Sequence, residues 1–284
     1  MKSWVPFLLL CCSASFLFGQ EAEPLPYATP FELKENYSAT YEETIDFYKT
    51  LAAAHPSLTI IPQGDTDAGF PLHTVVVSKN GYFSPKQAHE AGKVVLFINN
   101  AIHPGEPCGV DASMMLVRDL LLQSEKAPLL QEVVIVLIPY YNIGGGLNRG
   151  SYSRANQNGP EAHGFRGNAR NLDLNRDFVK ADSKNAQSYN KIFAAWNPHI
   201  FMDNHTSNGA DYQYTMTLLS PQKNKLQKEL ASYLAQLEPQ LYQVMKQAGW
   251  EMSPYVNARN TPDEGIYSFL DLPRYSSGYA ALHQ

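Results

Sequence analysis

The sequence predicts an α/β domain: a three-layer α/β/α sandwich with helices on both faces of a mixed, mostly parallel central sheet. Two observations carry this. Residues 94–98 and 133–138 are short, continuously apolar runs, the pattern of strands buried on both faces. Amphipathic helical segments alternate with such runs along the chain, and that alternation produces parallel crossovers. Composition agrees. The 284 residues are 44% hydrophobic and 17% charged, enough for one sizeable core.

In chain order, Lys2 followed by an almost wholly apolar stretch over 5–18, then Gly19, Gln20 and acidic Glu21 and Glu23, reads as a secretory leader over residues 1–20. The stretch is too short to cross a bilayer comfortably, and Leu9 and Leu10 before Cys11 lack the small residue of a lipoprotein site. Residues 21–284 are therefore expected as one exported domain, secreted or periplasmic, with no stable membrane association. Loss of Cys11 and Cys12 with the leader leaves Cys108 alone, so no intramolecular disulfide is available. Cys108 is expected as a small buried thiol. Lys plus Arg number 22 against 27 Asp plus Glu, for a net charge of −5, and no basic excess points to nucleic acid.

A helix is expected over 40–54, ending before Pro56, and strands over 72–78 and 93–99. Val110, Met114, Val117 and Leu121 mark the inner stripe of a helix, and 133–138 is a further strand. Residues 139–177 are rich in Gly, Asn, Arg and Tyr without periodicity, and a loop of that length in a compact domain is usually functional. A helix over 183–195 and strands over 199–203 and 212–219 follow. The clearest helix spans 223–247, with Leu226, Leu230, Leu234, Leu237, Leu241 and Met245 on one face, and 261–265 reads as a turn.

Sites in such folds form beyond the carboxyl ends of strands. After the strand at 93–99 comes His103-Pro104-Gly105-Glu106. A His and a carboxylate three residues apart can face one ion, though Glu106 could equally cap the following helix. Asp203-Asn204-His205-Thr206 closes another strand, about a hundred residues on. Two His and one Glu are the protein ligands of a catalytic zinc site with one position open. The alternative is that His205 is an ordinary polar strand-end residue. A third segment runs Asn171-Leu172-Asp173-Leu174-Asn175-Arg176-Asp177-Phe178.

These three segments, in this order, resemble the zinc metallocarboxypeptidases, of which carboxypeptidase A and B are the familiar members. The resemblance spans from about residue 40 to the end. It implies one Zn2+ per chain held by His103, Glu106 and His205, and a carboxypeptidase that cleaves the C-terminal peptide bond of peptides or proteins with zinc-activated water. It assigns Asn175 and Arg176 to the substrate's α-carboxylate, which a planar guanidinium grips in bidentate fashion. Asp173 matches the position that orients a zinc-bound His through its second ring nitrogen, with a turn cap as its alternative. An arginine of the preceding loop should stabilise the oxyanion. Arg149, Arg154, Arg166 and Arg170 are available, and Arg166 is favoured by its spacing from Asn175. A substrate-capping tyrosine could be Tyr212, Tyr214, Tyr267, Tyr275 or Tyr279.

The resemblance also demands a general-base Glu on a late strand. Glu229, Glu238, Glu251, Asp263, Glu264 and Asp271 follow His205, and none has that context. The expectation is that this residue lies beyond Gln284. Two other activities fit the same ligands: a small-molecule N-acyl-amino-acid amidase of the superfamily, and a zinc-bearing peptide-binding module without its base.

Overall fold

Every residue of Val133–Ile138 is apolar, and alternate side chains leave the strand on opposite faces. Val134, Val136 and Ile138 enter one core, and Ile135 and Leu137 enter another. This strand is the middle of a five-stranded sheet. The computed structural model describes residues 26–155, 157–207 and 212–283. The expected leader lies outside the described residues.

In order the elements are α1 (Pro30–Leu33), α2 (Tyr41–Ala54), β1 (Leu58–Asp65), β2 (Pro71–Val77), α3 (Pro85–Glu90), β3 (Val94–Asn99), α4 (Cys108–Leu122), β4 (Val133–Ile138), α5 (Ile143–Leu147), α6 (Lys184–Trp196), β5 (Ile200–Asp203), β6 (Met216–Leu218), α7 (Lys228–Gln247), β7 (Met252–Pro254), β8 (Val256–Arg259), β9 (Thr261–Ser268) and α8 (Ser276–Leu282). The central order is β1-β2-β4-β3-β5. β2 runs antiparallel to both neighbours, while β3 is parallel to β4 and to β5, so β2 alone opposes the common direction. The expected mixed, mostly parallel sheet is present.

One face of the sheet is covered by α2 and α4, whose Tyr48, Leu51, Met114 and Val117 pack on Val75, Val77 and Ile98. The other is covered by α6 and α8, with Tyr189, Phe193, Trp196 and Tyr279 packed on Val95, Phe97 and Val136. Helix α2 starts where Thr40 and Glu43 form a reciprocal capping box. Among the described residues no helix is long and apolar enough to cross a membrane.

Three expected elements differ. Residues 261–265 are not a turn but the start of β9, which pairs with β8 through Arg259↔Thr261 and Ala258↔Ile266. The reversal falls just before, at Asn260 with φ 46°. The long helix begins at Lys228: residues 223–225 make one 3₁₀ turn, Leu226 is extended, and none of α7 is buried. The strand expected over 212–219 is confined to Met216–Leu218.

Candidate metal centre

Parallel pairing of β3 with β5 sets Asn99 opposite Asp203, and Asn99 Nδ2 donates to Asp203 Oδ1 at 2.9 Å. The two strands thus deliver their next residues side by side. Beyond β3, Ala101 adopts φ 55°, a left-handed conformation uncommon for a residue with a Cβ. The reversal sends Ile102 into the core and carries His103 to the site, where Glu106 N closes a turn on His103 O at 2.8 Å. Asn204 Nδ2 donates to Asn100 Oδ1 at 2.8 Å, tying the His205 segment to the end of β3.

His103, Glu106 and His205 each offer one ligand atom, and these lie within 4.8 Å of one another. His103 and Glu106 are 3% and 4% exposed, whereas the His205 side chain is 32% exposed. His103 Nδ1 is 3.1 Å from Glu106 Oε1, and His205 Nδ1 is 2.7 Å from Oε2. The far ring nitrogens have their own partners: His103 Nε2 donates to Asp173 Oδ1 at 3.2 Å and His205 Nε2 to Asp203 Oδ2 at 2.9 Å. With each Nε2–H committed to a carboxylate, both Nδ1 atoms are left to face the shared centre. Two nitrogens and one carboxylate oxygen, converging with fixed tautomers, fit Zn2+.

The electrostatics are those of a site built for positive charge. Burial opposes ionisation of Glu106, but hydrogen bonds and charge from His205 and His103 outweigh it and hold the carboxyl well below the usual range. Asp173 is likewise lowered, burial being overcome by His103, Arg166 and Arg176. Burial would lower His205, yet Asp203 and then Glu106 hold it up at about 10.

Asp173 plays both roles considered for it. Its Oδ1 accepts from Asn175 N at 2.9 Å, capping the turn 174–176, and also meets His103. Arg166 approaches Asp173 Oδ2 through Nε and Nη2, each at 2.9 Å, and its Nη1 lies 3.4 Å from His103 Nδ1. Arg154 Nη1 sits 2.6 Å from Glu106 Oε1. Arg149 and Arg170 are engaged elsewhere, on the carbonyls of Ser38 and Ala162 and of Asp182 respectively. The Arg176 guanidinium lies 4.5 Å from the centroid of the Tyr275 ring. Asn175 Oδ1 accepts from Ser276 N at 3.2 Å, which fixes which end of the amide is the donor. The Ser276 hydroxyl in turn donates to Asp203 Oδ2.

A zinc carboxypeptidase family model matches residues 44–212, a span that contains every residue just described from His103 to His205. The chain belongs to the zinc carboxypeptidase family. Carboxypeptidase 2 of Trichophyton tonsurans is 26% identical over 171 residues, which is 58% of this chain and 28% of that protein. The chain thus spans less than a third of the length of that relative. Carboxypeptidase A from Helicoverpa armigera superposes with TM-score 0.62 at 15% identity, covering 87% of this chain and 62% of that one. A metallo-carboxypeptidase from Pseudomonas aeruginosa does so with TM-score 0.63 at 15% identity, covering 86% and 56%. These likenesses establish a shared carboxypeptidase fold.

Within this family setting, the structure brings together His103, Glu106, His205, Asp173 and Arg166. It sets Asn175 and Arg176 beside Tyr275, alone among the five candidate tyrosines. Tyr212 bonds the backbone of Val256, and Tyr279 is in the core. Glu106 does not cap α4, whose N-cap is Pro107 without a side-chain bond; its Oε2 accepts from Thr206 N at 3.1 Å. Cys108, expected as buried, is exposed, because it starts α4 on the side of the strand-end segment, while Val110 takes the core-facing position of that turn; its Sγ lies 3.4 Å from Thr206 Oγ1. Of the acidic residues after His205, Glu238, Glu251 and Asp271 pair with Lys223, Lys246 and Lys225, and Glu264 accepts from Asn260. Sequence reasoning missed Asp203 and Ser276. Asp203 carried a signal, since it is a carboxylate two residues before His205, and a ligating His usually gives its other ring N–H to such a group.

Proposed function

We propose that this chain belongs to an exported zinc-dependent carboxypeptidase, with residues 1–20 as its leader and 21–284 carrying the metal-binding and carboxylate-binding part of the catalytic domain. The convergence of His103, Glu106 and His205 within 4.8 Å, with Asn175 and Arg176 on the adjoining turn, is the observation that carries the reading. The three residues would hold Zn2+, and the chemistry the ion supplies when bound is a polarised carbonyl and an acidified water. Arg176 binds the terminal carboxylate, with Asn175 Nδ2 as a neutral donor beside it. Arg166, reaching toward His103 from the rim, supplies positive charge where the oxyanion develops. Asp173 and Asp203 keep the two imidazoles in one tautomer and orientation.

The test is calorimetric titration of the zinc-loaded protein with a short peptide and with the same peptide amidated at its C-terminus. The free acid should bind and the amide should not. Equal binding of the two would favour the amidase of the superfamily.

A further inference from the structure

We propose that Arg154 is a positioning residue that fixes the Glu106 carboxylate for the metal, and that Gly105 is glycine to let it pass. The inference rests on the zinc reading above. Arg154 Nη1 lies 2.6 Å from Glu106 Oε1, and Thr206 N donates to Oε2 at 3.1 Å. Each carboxylate oxygen therefore has a donor besides the histidines, one charged and one from the backbone, and the pair defines the plane in which the carboxylate sits. The Arg154 side chain is only 13% exposed and that of Glu106 5%, so this charge-assisted contact is sheltered from water. Arg154 Nε is buried without a partner among the described residues, which leaves the Glu106 contact as the feature that fixes the guanidinium.

The approach is built into the backbone. A Cβ placed on Gly105 would lie 2.6 Å from Arg154 Cδ and 3.0 Å from Gly164 O, so the arginine stem occupies the space a side chain would need. The segment that carries Arg154 is stitched to this same turn. Gly150 and His163 exchange backbone hydrogen bonds of 2.9 and 3.0 Å, Ser153 Oγ meets His163 Nδ1 at 3.1 Å, and Gly164 N donates to Pro104 O at 3.1 Å. Pro104 and Gly105 are the two residues between the ligands His103 and Glu106. The hairpin thus grips the ligand-bearing turn from outside and sends one cation through to its carboxylate. Arg154 touches a ligand rather than the reacting atoms, which distinguishes its role from the oxyanion role considered for Arg166.

The test is the affinity of the full chain for Co2+, measured by d–d absorption against a competing chelator, with circular dichroism of each metal-free form. Arg154→Met keeps the stem and removes the charge. It should bind Co2+ about 10- to 100-fold more weakly, the usual effect of losing a group that orients a ligand, with an altered absorption per bound ion. Arg154→Lys should recover part of the loss. If Arg154→Met does not fold, Arg154→Gln carries the same expectation. Affinity within about twofold of the parent in a folded Met or Gln variant overturns the inference and leaves the zinc site standing. Failure of the parent to bind one Co2+ removes both.

Discussion

The two histidines of the site leave the ends of adjacent parallel strands, whereas Arg154, Arg166 and Arg176 all come from the irregular segment between β4 and α6. The first group inherits its spacing from the sheet: the Asn99↔Asp203 register fixes where both chains emerge. The second lies outside the sheet, and its backbone is held by loop contacts such as the Gly150↔His163 bridge and Gly164 N on Pro104 O. Its arginines are held by side-chain bonds to Glu106, to Asp173 and to the backbone at Asn175, and the segment turns through a left-handed Asn171 at φ 58°. A position set by strand pairing survives loss of one side chain, but a guanidinium aimed by side-chain bonds does not. The metal side should therefore fail by losing its ligand alone, and the arginine side by losing alignment.

The largest effect expected on the metal side is from His205→Ala. Elemental analysis should find stoichiometric zinc in the parent and none in the variant, with the circular dichroism spectrum largely retained. Full zinc retention would sink the ligand assignment.

That side was also the more legible in the sequence, for a physical reason. A strand buried on both faces must be apolar throughout, so β3 and β4 stand out, and His103, Glu106 and His205 follow strand ends at short spacing. β1 was not legible: Pro62, Gln63 and Gly64 interrupt it, and it is an edge strand whose residues are mostly only half buried. β9 was hidden because Thr-Pro-Asp-Glu-Gly has turn chemistry, which pairing with β8 overrides. Exposure of Cys108 depends on which way the first turn of α4 faces. The partner of each loop arginine likewise depends on tertiary placement, since four arginines of similar local context lie between Arg149 and Arg170. Ser276 meets Asn175 from 101 residues away, a contact no local pattern encodes.

On the arginine side, Arg176→Ala should weaken binding of a free-acid peptide by about 30-fold or more, since removing one partner of a buried charge pair costs roughly 2–5 kcal/mol and 1.4 kcal/mol is tenfold. Arg176→Lys should recover only part, lacking the planar fork. Affinity for the amidated peptide should scarcely change. Equal calorimetric losses for acid and amide would make Arg176 structural and collapse the contrast between the two sides.

The smallest effect sharpens the comparison within the metal side. In the metal-free protein Asp203 and Glu106 hold His205 at about 10 against an ordinary 6.5. A base raised on folding contributes stability that is fully present below 6.5 and is lost as pH rises through about 10. Denaturant titrations of the metal-free parent should show that decline between neutral and alkaline pH. Asp203→Asn should be less stable at neutral pH and show a shallower decline. The parent's slope unchanged in the variant would mean that Asp203 orients the ring without holding its proton.

On the carboxypeptidase reading proposed above, the site has to count residues from a chain end. The tally is kept by distance, because a single residue spans at most about 3.6 Å, and a grip that drifts by that much would release a dipeptide or nothing. Ser276 spans the gap: its backbone amide holds Asn175 on the turn that carries Arg176, and its hydroxyl holds Asp203 behind His205. On that reading both ends of the ruler are pinned to one residue at the start of α8, and a change at that serine would move the grip and the metal side relative to each other.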